Sequence, residues 1–238
     1  MYFADYGNQE TMQSIINSLK NLTVITGHFG SGKTNLAVGI ARSAASLGRK
    51  VTIIDLDIVN PYFRAADNVS ELEALGVKCI VPDFANTNVD IPTLPPSVMG
   101  ALESHEREPD RLIILDVGGD NGAVALGMYK RFFKEGDYDL LYAVNKYRPL
   151  TEDIHGAVDV LREIEYLSRL TATGIVNTSN LGDETSAEDV LDTDSFAKEL
   201  AGVCGLPLVC TVAREELISE LSHLPNVFPI KNATKMLF

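Results

Sequence analysis

Strand-length apolar runs recur along this chain, and their continuity constrains the fold more than any other feature. "NLTVIT" at 21–26, "KVTIIDLD" at 50–57, "VKCIVP" at 77–82, "DRLIILDV" at 110–117, "DYDLLYAVN" at 137–145, "TATGIVNTS" at 171–179 and "LPLVCTV" at 206–212 carry their apolar residues in unbroken stretches. A strand with one wet face alternates apolar with polar residues, so a continuous run implies burial on both faces. Helical segments lie between the runs. "TNLAVGIARSAASLG" stops at Gly48, a C-terminal cap signal. "SELEALG", "PPSVMGALESHERE", "AVALGMYKRFFKEG" and "AEDVLDTDSFAKELAGVCG" follow in turn. "TEDIHGAVDVLREIEYLSRL" is the most amphipathic: Ile154, Val158, Leu161 and Ile164 share one face, and Thr151 is its expected N-cap. Buried strands alternating with helices predict an α/β fold, a doubly wound, mostly parallel sheet with helices on both faces. No linker or repeat divides the 238 residues, so one domain over 1–238 is expected, with 1–20 as an N-terminal helical extension.

Composition narrows the function classes. The net charge of −13 comes with no cluster of Lys and Arg, so neither nucleic acid nor an anionic membrane is an expected partner. No apolar run reaches membrane-span length, and no charged segment followed by an apolar one marks a secretory leader. Cys79, Cys204 and Cys210 are odd in number and form no CxxC pair. They read as small buried hydrophobes in a reducing compartment, which places the chain in the cytoplasm.

Ligands of an open parallel sheet bind beyond the carboxyl ends of its strands, and three such ends carry chemistry here. The first is Gly27-His28-Phe29-Gly30-Ser31-Gly32-Lys33-Thr34. Glycines at these positions let successive backbone N–H groups turn inward around a β-phosphate, and the following helix adds its N-terminal dipole. Lys33 then reaches the β- and γ-oxygens, and the Thr34 hydroxyl takes a Mg²⁺ position. The second is "VTIIDLDIVNP", where Asp55 and Asp57 sit two apart on an extended chain and project from one side. Paired carboxylates there repel unless a cation or an activated water lies between them. The third is "RLIILDVGG": Asp116 ends a buried strand in the manner of a Walker B acid, and Gly119 lets a backbone N–H approach a γ-phosphate.

With these motifs in place, residues 20 to about 215 resemble the MinD/ParA class of P-loop ATPases (CobQ/CobB/MinD/ParA), which also takes in nitrogenase iron protein and dethiobiotin synthetase. The resemblance implies a P-loop NTPase fold, ATP and Mg²⁺ as ligands, and low ATP hydrolase activity. It implies that Asp57 orients the hydrolytic water, that Asp55 lies against the Mg²⁺ shell, and that Asn177 hydrogen-bonds the adenine. The family loop reads K-G-G-x-G-K-[ST], and this chain has His28 and Phe29 in place of the first lysine and the glycine after it. In MinD and ParA that lysine crosses an ATP-dependent homodimer to reach the partner's nucleotide. A histidine brings only part of lysine's constant charge. Phe29 reads as a hydrophobic contact or a lid over the ribose.

Other relatives fit less well. The cluster-bridging cysteines of nitrogenase iron protein are missing, since none stands between Cys79 and Cys204. "IKNATKMLF" is too short for a MinD-type membrane helix. Asn145-Lys146-Tyr147-Arg148 departs from the guanine-reading N-K-x-D at its last position, which favours ATP over GTP. Tyr62, Phe63 and Arg64 form an aromatic-basic cluster where an effector loop belongs, and Lys146 and Arg148 read as salt-bridge partners or anion holders. The expected function is a slow Mg·ATPase acting as a nucleotide switch for a protein partner. The alternatives are an ATP-dependent ligase or kinase for a small carboxylate, like dethiobiotin synthetase, and a non-hydrolysing nucleotide-regulated binding module.

Overall fold

Each apolar run becomes a strand whose side chains point alternately into two helical layers. The computed structural model describes residues 4–56, 66–81, 96–105, 107–108, 110–119 and 121–231. Asp57, Tyr62, Phe63, Arg64 and the tail after Lys231 lie outside the described residues. The strands are β1 (Leu22–Gly27), β2 (Val51–Asp55), β3 (Lys78–Ile80), β4 (Leu112–Gly118), β5 (Tyr138–Val144), β6 (Gly174–Asn177), β7 (Leu208–Arg214) and β8 (Val227–Ile230). The helices are α1 (Ala4–Ser18), α2 (Lys33–Ser46), α3 (Ala66–Ala74), α4 (Pro96–His105), α5 (Asn121–Gly127), α6 (Ile154–Ser168) and α7 (Ala187–Cys204).

The strands form one eight-stranded sheet in the order β3-β2-β4-β1-β5-β6-β7-β8. Every neighbouring pair runs parallel. On β4 the two-residue period is plain. Ile113, Leu115 and Val117 enter the layer of Leu102 on α4, Leu161 on α6 and Leu200 on α7. Leu112 and Ile114 face the opposite layer, with Ile16 on α1, Leu36 on α2 and Leu72 on α3. Each large aliphatic side chain buried in this way stabilises the fold by about 1.5–3 kcal/mol. The expected parallel, doubly covered α/β sheet is therefore the observed one. Among the described residues no helix is long and apolar enough to cross a membrane.

The differences have local causes. β8 was not legible as a strand because Pro229 interrupts "VFPI"; it lies at the sheet edge, where a missing ladder donor is tolerated. Phe228 and Ile230 on β8 pack in one cluster with Ile15 and Ile16, which gives the N-terminal helix its seat. The helix expected through 123–136 stops at Gly127, followed by a 3₁₀ turn at Lys130–Phe132. Tyr129 and Phe133 thereby turn into the core, where Phe133 meets Tyr138 edge to face at 5.7 Å. The cap of α6 is Asp153, whose carboxylate accepts from Gly156 N at 2.8 Å, and not Thr151. The Thr151 hydroxyl instead donates to Asn145 O at 2.6 Å.

Candidate nucleotide-binding site

β1 delivers the chain into the glycine-rich loop at the carboxyl edge of the sheet. Ser31 N donates to His28 O at 3.1 Å, closing a turn with Phe29 at its tip and Gly30 at φ +72°. A positive φ at the third residue of such a turn suits glycine. Gly32, at φ +94°, is the N-cap of α2, and no side chain caps the helix. Its first amides therefore open toward the loop, the arrangement that binds anions. Gly27 admits no side chain, because a Cβ there would stand 2.3 Å from Ala143 O. Ser31 is buried, and its Oγ has no hydrogen-bond partner among the described residues. Phe29 is 55% exposed and His28 is half-buried.

The acids converge on this loop as their spacing predicts. Gly27 on β1 is in register with Gly118 on β4, and Asp55 on β2 with Asp116 on β4. Neighbouring strands lie about 4.8 Å apart, so two buried carboxylates stand side by side. Thr34 Oγ1 donates to Asp116 Oδ2 at 2.6 Å, a short charge-assisted bond across 82 positions of sequence. Lys33, one residue earlier, is only 5% exposed. Leu56 N donates to Asp116 O at 2.8 Å, tying the chain immediately before Asp57 to the same acid. Gly119 sits against the start of the loop, where a Cβ would lie 3.1 Å from Gly27 O. Among the described residues no group of three or more His, Cys, Asp and Glu side chains is placed to hold a metal ion. Two carboxylates and a hydroxyl suit Mg²⁺, which fills its shell with water and substrate phosphate and needs no closed protein cage.

The base side differs from expectation. Asn177 is 1% exposed, and its amide is committed inside the fold: Nδ2 donates to Thr193 Oγ1 at 3.1 Å and Oδ1 accepts from Ser179 N at 3.2 Å. It shapes the loop after β6. Beside it a cleft opens between the N-terminus of α2, the 178–182 loop and the end of β7, lined in part by Gly32, Asn35, Asn180, Thr185 and Arg214. Its empty volume, open mouth included, is ≈ 400 Å³. Arg214 donates from Nη2 to Thr185 O at 2.9 Å.

Asn145 connects the two sides. Its Nδ2 donates to Asn180 O at 3.2 Å and, at a longer 3.4 Å, to Gly30 O; its Oδ1 accepts from Asn180 N and Tyr147 N. Neither basic neighbour forms the expected salt bridge among the described residues. Arg148 Nε donates to Gly30 O at 2.9 Å, and Lys146 Nζ lies 5.8 Å from the Phe196 ring centroid. Sequence reasoning passed over Asn180 and Arg214, and read Asn145 only as the opening of an incomplete N-K-x-D.

Burial, with Asp189 and Asp192 behind it, raises the Tyr147 phenol, which donates to Asp189 O at 3.1 Å as a neutral group. Burial pushes the Cys210 thiol up to about 12, and burial with Glu73 pushes Cys79 up to about 11. The cysteines are unpaired thiols; Cys210 is buried as expected, whereas Cys79 and Cys204 are only partly buried.

No protein-family model matches the sequence, and no curated protein matches it. Solved structures do match the fold. The signal recognition particle receptor FtsY from Elizabethkingia anophelis aligns with TM-score 0.52 at 15% identity, covering 97% of this chain and 67% of that one. FtsY from Mycoplasma mycoides aligns with TM-score 0.50 at 18% identity, covering 86% of this chain and 65% of that one. This chain thus spans about two thirds of the FtsY structures it matches. A nucleotide-binding protein in complex with ADP from Archaeoglobus fulgidus aligns with TM-score 0.50 at 15% identity, covering 90% of both chains. The chain has the P-loop NTPase fold.

Proposed function

We propose that this protein binds Mg·ATP at the 27–34 loop, hydrolyses it slowly, and uses the nucleotide state to switch its hold on a protein partner. The observation that carries the reading is the Thr34–Asp116 hydrogen bond beside buried Lys33, at the mouth of a glycine turn followed by an uncapped helix. The loop amides and Lys33 grip the β- and γ-phosphates and stabilise the charge that develops on the transferred phosphoryl. Thr34, Asp116 and Asp55 would hold Mg²⁺, which neutralises and orients the phosphate oxygens. Asp57 orients the attacking water, and the amide of Gly119 senses the γ-phosphate. The buried Ser31 hydroxyl fits the same cradle as a further donor to phosphate.

With phosphates in the loop, the base enters the adjoining cleft, where Asn180 and Arg214 replace Asn177 as its polar neighbours. ATP is favoured over GTP because Arg148 stands where a guanine-reading acid belongs and turns toward the loop instead. His28 and exposed Phe29 lie at the rim, on the side available to a second copy in an ATP-dependent homodimer. We place the protein among MinD/ParA-like ATPases and, on its unpaired cysteines, in the cytoplasm. The small-carboxylate ligase alternative loses its anion holders, since Arg148 binds a loop carbonyl and Lys146 packs over Phe196.

Turnover discriminates the readings. Steady phosphate release from ATP with no added small molecule, accompanied by a rise in mass by light scattering with a non-hydrolysable ATP analogue, is the expected result. Release only in the presence of a carboxylate substrate would contradict the switch. Tight ATP binding with no release would replace it with a nucleotide-regulated binding module.

A further inference from the structure

We propose that Arg148 is a positioning residue for the phosphate loop, pinning the outward carbonyl of Gly30 so that the His28–Ser31 turn keeps its phosphate-ready shape. The inference rests on the nucleotide reading above. The C=O of Gly30 and the N–H of Ser31 belong to one planar trans peptide and point in opposite directions. Arg148 Nε holds the carbonyl end at 2.9 Å, and His28 O holds the amide end at 3.1 Å. The same peptide plane is thus fixed from both sides, and neither end swings without breaking a bond. Gly30 gives the turn its φ of +72°, and a Cβ there would stand 3.0 Å from Arg148 Nε and 3.4 Å from its Cζ. The Arg148 side chain therefore takes up the space that a side chain on Gly30 would need.

Arg148 is itself braced. Its N–H donates to Asn145 O at 3.2 Å, and its carbonyl accepts from Thr151 N at 2.9 Å. The Thr151 hydroxyl secures Asn145 O, and Asn145 exchanges hydrogen bonds with Asn180 beside the cleft. Arg148 thus acts on the part of the site that every phosphorylated nucleotide shares. A bond from a guanidinium is charge-assisted and stronger than one between neutral groups.

The test uses the full chain with Arg148→Ala, Arg148→Lys and Arg148→Met, titrated with Mg·ATP and Mg·ADP and assayed for KM and kcat. Arg148→Ala is expected to weaken ATP and ADP by the same factor, about tenfold, the loss of one hydrogen bond to a charged group. KM rises by that factor while kcat changes less than about twofold, as for an interaction made equally in ground and transition states. Arg148→Met keeps the apolar stem without donors and behaves like the alanine variant. Arg148→Lys restores a donor and returns affinity to within about threefold of the parent, which a merely structural role would not require. Parental affinity in Arg148→Ala or Arg148→Met overturns the inference alone, as does a loss confined to ATP, which would mean direct contact with the γ-phosphate. Weakened binding in Arg148→Lys equal to that in Arg148→Ala overturns it too. Failure of the unsubstituted protein to bind either nucleotide overturns the nucleotide reading, and this inference with it.

Discussion

The phosphate side and the base side of the cleft end of the sheet are held together by different kinds of interaction. On the phosphate side, residue types at fixed spacing meet across strands in register: Gly27 beside Gly118, Asp55 beside Asp116, and Thr34 bonded to Asp116. On the base side, loops interlock through side chain–backbone hydrogen bonds centred on Asn145, Asn177 and Asn180. Strand order and glycine conformation specify the first arrangement. The second depends on which of several amide donors finds which carbonyl. The phosphate side should therefore respond to substitution by losing chemistry, and the base side by losing order.

The sharpest way to break this contrast is Lys33→Ala. Removing the buried cation from the loop is expected to weaken ATP by at least about a hundredfold, while a stabilising contribution from Lys33 alone would move only the melting temperature. Asp116→Asn keeps the shape of the site and removes a charge. It should lower kcat by about 10²-fold and abolish the dependence of binding on Mg²⁺, read in parallel titrations with and without EDTA. Asp57→Ala is expected to retain ATP binding and slow hydrolysis at least about tenfold. Parental turnover in that variant removes Asp57 from the mechanism. The smallest effect belongs to the base side. Asn177→Ala should cost about 1–3 kcal/mol of stability by stranding buried partners, with ATP affinity changing less than about threefold. A selective loss of ATP over other nucleotides in Asn177→Ala would return that residue to base recognition and erase the distinction between the two sides.

How much was legible in the sequence follows the same division. The parallel sheet was readable because strands buried on both faces leave no polar alternation, as Ile113 to Val117 illustrate. The pairing of Thr34 with Asp116 was readable because a glycine loop after β1 and an acid ending β4 share an edge in any sheet of this kind. β8 escaped notice because Pro229 mimics a strand breaker, and only its edge position makes it tolerable. Thr151 was mistaken for a helix cap because a cap two residues later, Asp153, offers the same chemistry. The hydrogen-bond partners of Asn177 and Arg148 were not legible for a deeper reason. Each residue sits at the expected strand end, but partners distant in sequence, Thr193 and Gly30, decide where the side chain turns. Residue type and spacing carry no information about that choice.

The central claim is tested most directly by calorimetric titration of the intact protein with ATP in the presence of Mg²⁺, repeated with GTP and with EDTA in place of the metal. The account predicts one ATP site per chain, weaker binding of GTP, and loss of most of the ATP affinity in EDTA. An absence of ATP binding, or binding indifferent to Mg²⁺, would contradict it.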